Sequence, residues 1–117
     1  MQNWSKNVDF NDRGYLQPES LSELQELVRS NAKLRARGTA HCFNEIANTS
    51  SYAINLSNMP KTIEVNSESK SVTVAAGLKY GELAPELHKL GWALNNLASL
   101  PHISIAGSIS TGTHGSG

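Results

Sequence analysis

The most informative stretch of this chain is Ser104-Ile-Ala-Gly-Ser-Ile-Ser-Thr-Gly-Thr-His-Gly-Ser-Gly117, and it decides how the fold is interpreted. It holds four glycines and six hydroxyl side chains. Glycine lets a backbone approach a ligand closely, while Ser and Thr add short hydrogen-bond donors. Such a composition suits a backbone that lies against phosphate or carbonyl oxygens. Because chain termini usually lie outside the working parts of a protein, we expect this stretch to be the front of a binding site in a larger protein.

A flexible tail is the alternative for these residues, since composition alone does not exclude it. Ile103, Ile105 and Ile109 are interspersed among the small residues, however, and disordered linkers seldom place β-branched apolar residues so regularly. We therefore predict a buried, close-packed loop. The glycine spacing matches neither a strand–GxGxxG–helix unit nor GxxxxGK[ST], so a nicotinamide-type dinucleotide fold and a P-loop are not supported.

A second glycine-containing turn lies earlier, in Arg35-Ala-Arg-Gly-Thr-Ala-His-Cys-Phe-Asn-Glu45. A predicted strand leads into Gly38 and two small residues, next to two arginines, with His41 immediately beyond. Consecutive backbone N–H groups in such a turn form an anion-binding concavity. An ordinary strand-to-turn connection stays open as the alternative, because short turns of small residues are common.

Composition excludes several classes of protein. Ten basic and ten acidic residues give a formal net charge of zero, which removes the positive surface expected of a nucleic-acid or membrane-surface binder. No apolar run approaches the roughly 20 residues of a transmembrane helix, and the first residues lack an apolar signal segment. Cys42 is the only cysteine, which excludes an internal disulfide. The sequence therefore predicts a soluble, cytoplasmic protein.

The four histidines form no recognisable metal motif. Neither a His-x3-His pair nor a His-Glu-x-x-His helix is present, and no acidic residue follows Glu86. A serine hydrolase is also unsupported, because the chain lacks a Gly-x-Ser-x-Gly elbow. A metal hydrolase that uses His41, His102 and His114 is the weakest interpretation, and we predict no metal site.

Residue periodicity predicts a mixed domain. In the clearest helix, Ser20 and Glu23 form a capping box. Pro85 lies too far inside a second predicted helix to be a first-turn proline, so we expect a kink or a late start there, and Gly91 should close that helix. The order of elements suits an α+β or α/β domain. The predicted elements are a helix at 16–31, strands at 34–37 and 51–56, a hairpin of strands at 61–66 and 71–76, a helix at 80–90, and an extended or looped segment from 92 to 101.

Four segments in order carry a specific resemblance. They are Asn3-Trp-Ser-Lys-Asn7, Arg37-Gly-Thr-Ala-His-Cys-Phe-Asn-Glu-Ile-Ala47, Ala76-Gly-Leu-Lys-Tyr-Gly-Glu-Leu83 and the stretch from Asn96 to Gly117. With these segments the chain resembles the N-terminal FAD-binding region of the vanillyl-alcohol oxidase and p-cresol methylhydroxylase type of flavoproteins. It is most similar to the branch of alditol oxidases (xylitol and sorbitol oxidases) and sugar-lactone oxidases. The resemblance covers essentially all 117 residues and implies a truncated FAD-binding domain, α+β (α/β) in class, without its substrate domain.

The resemblance also implies roles for individual residues. The first turn would hold the FAD pyrophosphate on backbone amides, and His41 would be bonded covalently to the methyl group at C8 of the flavin. Ala98 would lie near the flavin edge where oxygen approaches, and no catalytic residue is expected in this chain. The residues assigned to FAD binding are Ala36, Arg37, Gly38, Thr39, Ala40, His41, Cys42, Ser99, Ser104, Gly107, Ser108, Ile109 and Ser110.

This chain departs from the family pattern in the first turn. The family often has Gly-Ser-Gly-His-Ser where this chain has Gly38-Thr-Ala-His-Cys42. Ala40 narrows the backbone freedom at its position, and Cys42 replaces a good hydroxyl donor by a weak thiol donor. We therefore expect residue 42 to serve through its amide rather than its side chain.

The implied function is that of an FAD-dependent oxidoreductase. By resemblance it would oxidise a C–OH group of a small polyol or sugar lactone by hydride transfer to FAD, and O2 would reoxidise the flavin to give H2O2. The resemblance places the groups that engage the substrate outside this chain. The alternative is a non-catalytic FAD-binding or nucleotide-binding module, or an inactive fragment.

Overall fold

The computed structural model describes residues 1–116. The chain divides into two compact units, Met1–Met59 and Pro60–Gly117, which we call the first unit and the second unit. The first unit contains a parallel three-stranded sheet, and the second contains an antiparallel hairpin. Helices accompany both, as the predicted mixture of helix and strand requires.

The sheet of the first unit is built from three short strands. They are β1 (Gly14–Leu16), β2 (Leu34–Ala36) and β3 (Tyr52–Ile54), with β3 in the middle and parallel to both neighbours. Ala53 and Ile54 in β3 are buried, as expected for a central parallel strand. The predicted strands at 34–37 and 51–56 are confirmed with shorter bounds, whereas β1 was not predicted.

The helix α1 (Leu21–Ser30) connects β1 to β2 along the chain. The hydroxyl of Ser20 accepts a hydrogen bond from the Glu23 N–H at 3.2 Å, which confirms the predicted N-cap. The Glu23 carboxylate accepts instead from the N–H of Glu19 at 2.8 Å, so the capping box is not closed on Ser20 itself. The helix begins later than predicted because Leu16 pairs in β1.

A single turn of 3-10 helix, Glu45–Ala47, precedes β3. The side chain of Asn44 caps it by accepting a hydrogen bond from the Ile46 N–H at 3.2 Å. This turn was not predicted. It matters for the site because it directs the Ala47 carbonyl towards the side chain of Arg37.

The second unit begins with the predicted hairpin. Its strands are β4 (Ile63–Asn66) and β5 (Ser71–Val74), paired antiparallel, and this prediction is confirmed. Lys70 in the connecting turn has φ of 51°, a value that a short hairpin turn often requires. The apolar side of the hairpin packs against the core of the second unit, which consists of Leu78, Leu83, Leu87 and Ile105.

The helix α2 (Tyr80–Lys89) follows the hairpin. It starts at Tyr80, so the late start considered because of Pro85 is wrong, and the helix runs on through that proline. Gly91 closes the helix as predicted, with φ of 78° and its N–H donating to the His88 carbonyl at 3.0 Å. Only glycine adopts this left-handed conformation at low cost.

Glu82 stabilises the first turn of α2. Its carboxylate accepts a hydrogen bond from the Lys61 ammonium group and another, at 2.9 Å, from the Lys79 N–H. The hydrogen bond from Lys61 lowers the pKa of the Glu82 carboxyl below its usual value, and the hydrogen bond from Lys79 adds a smaller decrease. The charged form of Glu82 is therefore the one that caps the helix.

The terminal glycine-rich stretch contains a third helix, α3 (Ile105–Ser110), where we predicted a loop. The prediction of a packed segment is confirmed for Ile103 and Ile105, which are buried, whereas Ile109 is 73% exposed. Hydroxyl groups help to form the helix, since Ser108 donates to the Ile105 carbonyl at 2.8 Å. The stretch is thus neither a flexible tail nor a loop over these residues.

The helices of residues 1–116 are short, and the longest have 10 residues. None of them has the length and apolar character that a membrane-crossing helix needs. Gly117, the last residue of the predicted binding stretch, lies outside the described residues.

Candidate functional site

The first candidate segment is the turn that follows β2, residues 37–43. The N–H of Arg37 donates to the Ile54 carbonyl at 2.9 Å and extends the pairing of β2 with β3 by one residue. Asn55, the residue after β3, donates from its side chain to the carbonyls of Arg37 at 2.8 Å and Gly38 at 3.2 Å. The start of the turn is therefore fixed to the carboxyl ends of two parallel strands.

The N-terminal segment of the chain holds the other end of the turn. The Trp4 N–H donates to the Ala40 carbonyl at 2.9 Å. The side-chain amide of Asn3 donates to the Cys42 carbonyl, and that of Asn7 to the Phe43 carbonyl, both at 2.8 Å. Together with the bonds from Asn55, these contacts satisfy most of the carbonyl oxygens of the turn.

Several backbone N–H groups of the same turn, unlike its carbonyl oxygens, have no hydrogen-bond partner in the part of the protein that the structure describes. Within residues 1–116, the N–H groups of Gly38, Ala40 and Cys42 donate to no protein acceptor. Buried or half-buried amides normally have a hydrogen-bond partner, and these three residues are not exposed. A turn whose carbonyls are occupied and whose amides are available presents positive partial charges to a ligand, as an anion site requires.

Ala40 adopts a left-handed backbone conformation with φ of 59°. An L-residue other than glycine occupies this region at a cost of roughly 1–2 kcal/mol. The methyl group is buried in a small cluster with Val8 and Phe10, which offsets part of that cost. Ala40, which departs from the glycine of the family pattern, therefore lies at a position where the backbone conformation favours glycine.

Arg37 is part of the interior, in contrast to its expected place at the phosphates. Its side chain has no exposed surface, and its Nη1 lies 2.8 Å from Oδ2 of Asp12. Its Nε and Nη2 donate to the Ala47 carbonyl at 3.1 and 3.0 Å, and its guanidinium lies 3.8 Å from the centre of the Phe10 ring. The Arg37 backbone N–H and all three nitrogens of its guanidinium donate hydrogen bonds within the protein, so this residue supports the turn from the interior.

The charges of this buried cluster also affect Tyr15. Burial raises the pKa of the Tyr15 phenol above its usual value, while the positive charge of Arg37 opposes that change and the negative charge of Asp12 adds to it. The guanidinium lies 5.9 Å from the Tyr15 ring centre. Tyr15 therefore stays protonated at neutral pH.

His41 is half-buried, and its ring is oriented by the backbone of its own turn. The Nδ1 atom lies 3.1 Å from the carbonyl oxygen of Thr39. Because a carbonyl oxygen only accepts hydrogen bonds, Nδ1 is the donor in this contact, and in the neutral tautomer that makes it the lone pair lies on Nε2. Cys42, the next residue, carries a half-buried free thiol.

The second candidate segment, residues 98–110, belongs to the second unit and is held by the start of α2. The Gly81 N–H donates to the Pro101 carbonyl at 2.7 Å, and the Ile105 N–H donates to the Leu78 carbonyl at 2.9 Å. An isolated bridge between Lys79 and Ser104 lies between these two bonds. Residues 76–83, one of the four segments of the family resemblance, therefore anchor the segment that begins at Asn96.

The side chain of Ser108 is hydrogen-bonded within the second unit. Its hydroxyl group lies 2.8 Å from the Tyr80 hydroxyl and donates to the Ile105 carbonyl, and the residue is buried. The Ser110 hydroxyl donates to the carbonyl of Ala106 at 2.8 Å. Both expected FAD contacts thus have intramolecular partners for their side chains.

The other expected contacts of this segment differ in exposure. Ser99, Ile109 and Ser110 are exposed, Ala98 and Gly107 are half-buried, and Ser104 is buried. The structure brings the expected residues together as two groups, one in each unit. The group of the first unit is Ala36, Arg37, Gly38, Thr39, Ala40, His41 and Cys42, and the group of the second unit is Ser99, Ser104, Gly107, Ser108, Ile109 and Ser110.

Several residues of these segments were missed by sequence reasoning. Asn3, Asn7 and Asn55 bind carbonyls of the turn, and Tyr80 binds Ser108. Asn3, Asn7 and Tyr80 lie in segments that carried the family resemblance, but the residue types alone indicate no partner. Among residues 1–116, no three His, Cys, Asp or Glu side chains are grouped so that they could hold a metal ion.

Comparison with known proteins gives a consistent result. The model of a protein family described as FAD binding domain matches residues 13–117. The chain is 41% identical over 118 residues to the alditol oxidase of Streptomyces sp., covering 98% of this chain and 28% of that protein. It is 35% identical over 120 residues to the L-gulonolactone oxidase of Mus musculus, covering 99% and 27%. The chain thus spans about a quarter of the length of these relatives.

The fold is also found in a solved structure. The crystal structure of cholesterol oxidase from B. sterolicum matches with a TM-score of 0.81 and 22% identity, covering 97% of this chain and 23% of that one. At this level of identity the similarity concerns the fold alone. Together with the family match, it confirms the predicted fold class.

Proposed function

The chain belongs to the FAD binding domain family of vanillyl-alcohol-oxidase-type flavoproteins, and from this membership we propose that it holds FAD in an enzyme that oxidises a C–OH group. The proposed substrate is a small polyol or a sugar lactone, as the names of the two relatives suggest. Residues 1–117 form the N-terminal FAD-binding domain in this proposal. The substrate-binding groups lie in a further domain, since the relatives are about four times as long.

The available amides of the first turn carry this proposal. The N–H groups of Gly38, Ala40 and Cys42 have no protein acceptor within the described chain, while donors from Asn3, Trp4 and Asn55 occupy carbonyls of the turn. A diphosphate needs several hydrogen-bond donors, and these three N–H groups supply them. Arg37 contributes by fixing the turn from the interior rather than by contacting the phosphates.

His41 is the residue that we propose to attach the flavin. It follows the amides of the turn directly in the chain, and its neutral ring carries its lone pair on Nε2 when Nδ1 donates to Thr39. When bound, FAD would supply the redox chemistry of this proposal, which is removal of a hydride from the carbinol carbon and transfer of the electrons to O2. The part of this chain is to hold the pyrophosphate, to orient the ring system and to keep the imidazole lone pair directed.

The second segment contributes contacts of a different kind. Ser99, Ile109 and Ser110 are exposed, and the 73% exposed side chain of Ile109 is apolar, as a contact to a flavin ring would be. Ser104, Gly107 and the backbone near Ser108 are proposed to contact FAD as well. The buried hydroxyl of Ser108 acts through α3, which it helps to form.

Acid precipitation of the complete protein tests this proposal. The purified protein should be yellow, and its flavin fluorescence should stay with the precipitated polypeptide. His41→Ala should leave bound flavin that acid releases. His88→Ala is the matched control, because His88 is an exposed histidine on α2 outside both segments, and it should retain the colour.

Each outcome selects one interpretation. A colourless protein that takes up no FAD would contradict the proposed cofactor. A yellow protein whose flavin is released by acid would leave FAD binding in place and contradict covalent attachment. A yellow protein that, with any polyol or lactone, neither produces H2O2 nor reduces an artificial electron acceptor would favour the alternative, a non-catalytic FAD-binding module.

The expected absence of nucleic-acid and membrane partners and the cytoplasmic location stay predictions. The balance of ten basic and ten acidic residues supports the first of them. Cell fractionation with an antibody against the complete protein tests the location. Recovery of the protein in a membrane or organelle fraction would contradict it.

A further inference from the structure

A tryptophan lies against the proposed attachment residue. The rings of Trp4 and His41 are stacked, with their centroids 5.4 Å apart and an angle of 20° between their planes. Trp4 is 59% exposed, so burial of apolar surface does not account for its position. Both residues belong to the first unit. An exposed indole that is nevertheless fixed over an imidazole needs another explanation.

The backbone around Trp4 is built to hold it in place. Asn3 is 3% exposed, and its side-chain oxygen accepts hydrogen bonds from the N–H groups of Asn7 and Val8, both at 3.1 Å. Lys6 has φ of 58°, and its N–H donates to the Asn3 carbonyl at 3.1 Å, which closes a tight turn. The side chain of Asn3 thus organises the loop in which Trp4 sits.

The same loop is bonded directly to the residues on both sides of His41. The Trp4 N–H donates to the Ala40 carbonyl at 2.9 Å, and the Asn3 side chain donates to the Cys42 carbonyl at 2.8 Å. The two contacts fix the backbone before and after His41. The stacked indole then fixes the plane of the imidazole ring itself.

We propose that Trp4 is a positioning residue for the covalent attachment of the flavin at His41, and that Asn3 holds Trp4 and the turn in the required relation. This inference rests on the proposed function. The Nδ1 contact with Thr39 restricts rotation of the ring in its own plane, and Trp4 restricts tilting out of that plane. Together they hold the imidazole ring in one orientation relative to the flavin methyl group. A fixed orientation of the reacting groups raises the rate of bond formation.

The attachment step is balanced as an oxidation. A bond forms between an imidazole nitrogen and the methyl carbon at C8, and one methyl C–H bond breaks. The methyl hydrogen and the imidazole N–H hydrogen leave as protons, and the electron pair reduces the flavin ring. Molecular oxygen removes that pair and becomes H2O2. The rate of this step depends on ring orientation, whereas reversible binding of FAD depends on the amides of the turn.

The test measures attachment and binding separately. Complete protein is prepared without flavin, FAD is added, and flavin that resists acid is measured against time, while fluorescence quenching gives the affinity for reversible binding. Trp4→Ala should slow attachment about three- to tenfold, the effect expected of one aromatic pair, and leave the affinity nearly unchanged. Trp4→Phe should recover most of the rate. Trp92→Ala, which removes the other tryptophan of this chain, should attach at the normal rate.

The outcomes separate this inference from the proposed function. Equal attachment rates in Trp4→Ala and the unchanged protein would overturn the inference and leave attachment at His41 intact. A loss of reversible affinity equal to the loss of rate would also overturn it, because Trp4 would then support the turn only. Release of all flavin by acid from the unchanged protein would overturn covalent attachment, and the inference with it.

Discussion

Removal of the Asp12 carboxylate should strongly destabilise the first unit. The Arg37 side chain has no exposed surface, that of Asp12 is 13% exposed, and the two charged atoms are 2.8 Å apart. In an Asp12→Ala variant the guanidinium stays buried, with the Ala47 carbonyl and the Phe10 ring as its partners. A neutral carbonyl and an aromatic face stabilise a buried cation less than a carboxylate does.

The magnitude follows from the distance and the burial. At 2.8 Å and an effective dielectric constant of about 20, the attraction between the two charges is about 6 kcal/mol. Part of this attraction offsets the removal of both charges from water, so the loss on deleting one partner of a buried pair is about 3–5 kcal/mol. Asp12→Asn keeps an acceptor beside the guanidinium and should lose less, about 2 kcal/mol.

Urea unfolding of the complete protein, followed by circular dichroism, measures this effect as a change in the free energy of unfolding. Glu26→Gln is the matched control, because it removes an ion pair with Arg29 in which both side chains are exposed, by 65% and 71%. Exposed pairs contribute little, so the control should lose less than about 0.5 kcal/mol. Reversible FAD binding should weaken in Asp12→Ala but not in Glu26→Gln, because Arg37 supports the turn whose amides are proposed to bind the diphosphate.

Two results would refute this reasoning. The first is an Asp12→Ala variant that loses no more than the Glu26→Gln control. The second concerns the double variant Asp12→Ala with Arg37→Met, in which no charge is left buried and part of the loss should be recovered. If the double variant is as unstable as the sum of its single variants, the loss comes from packing and not from the unpaired charge.

Three further predictions concern the second unit. Leu83→Ala should lower the free energy of unfolding by about 2–5 kcal/mol, because this side chain is 1% exposed, whereas Leu90→Ala, at 61% exposure, should have little effect. Gly81→Ala should lower the free energy of unfolding by about 1–2 kcal/mol, because a Cβ there would lie 3.0 Å from the Pro101 carbonyl oxygen. It should also weaken FAD binding. Unchanged thermal unfolding would contradict the anchoring role of α2. In the folded protein the pKa of Glu82 is lowered, so its stabilising effect is present above the usual value of 4.5 and is lost as the pH falls through the folded value. The difference in thermal midpoint between the unchanged protein and Glu82→Gln should therefore shrink in acid, and a difference that stays constant with pH would contradict this assignment.

The regular elements were predictable where local signals sufficed. Ser20 marked the start of α1, Gly91 marked the end of α2, and the alternating residues of β4 and β5 gave the hairpin. These features depend on residues close together in the chain. The strand β1 has only three residues, too few for an alternating pattern to be visible, and its partner β3 lies far along the chain.

The helix α3 could not be predicted from residue preferences. Its sequence Ile-Ala-Gly-Ser-Ile-Ser contains glycine, serine and β-branched residues, which all disfavour a helix interior. Tertiary contacts override these preferences, because Ile105 is buried in the core and Tyr80 holds the hydroxyl of Ser108. Similarly, two arginines beside a glycine suggested phosphate contact, and only the fold shows that Arg37 faces Asp12, 25 residues away.

If the first turn binds the diphosphate as proposed, this ability comes from the fold rather than from its glycine content. One glycine, Gly38, and a strained Ala40 suffice, because donors from distant parts of the chain occupy the carbonyls: Asn3 and Trp4 from the N-terminal loop, and Asn55 from the end of β3. Each such bond both fixes the backbone and removes a lone pair that would repel phosphate. The hydrogen bond from Trp4 fixes the carbonyl of Ala40, the residue with the unfavourable φ. A substitution at Asn3 or Asn55 should therefore affect FAD binding as strongly as one within the turn, although neither side chain belongs to the expected contact set.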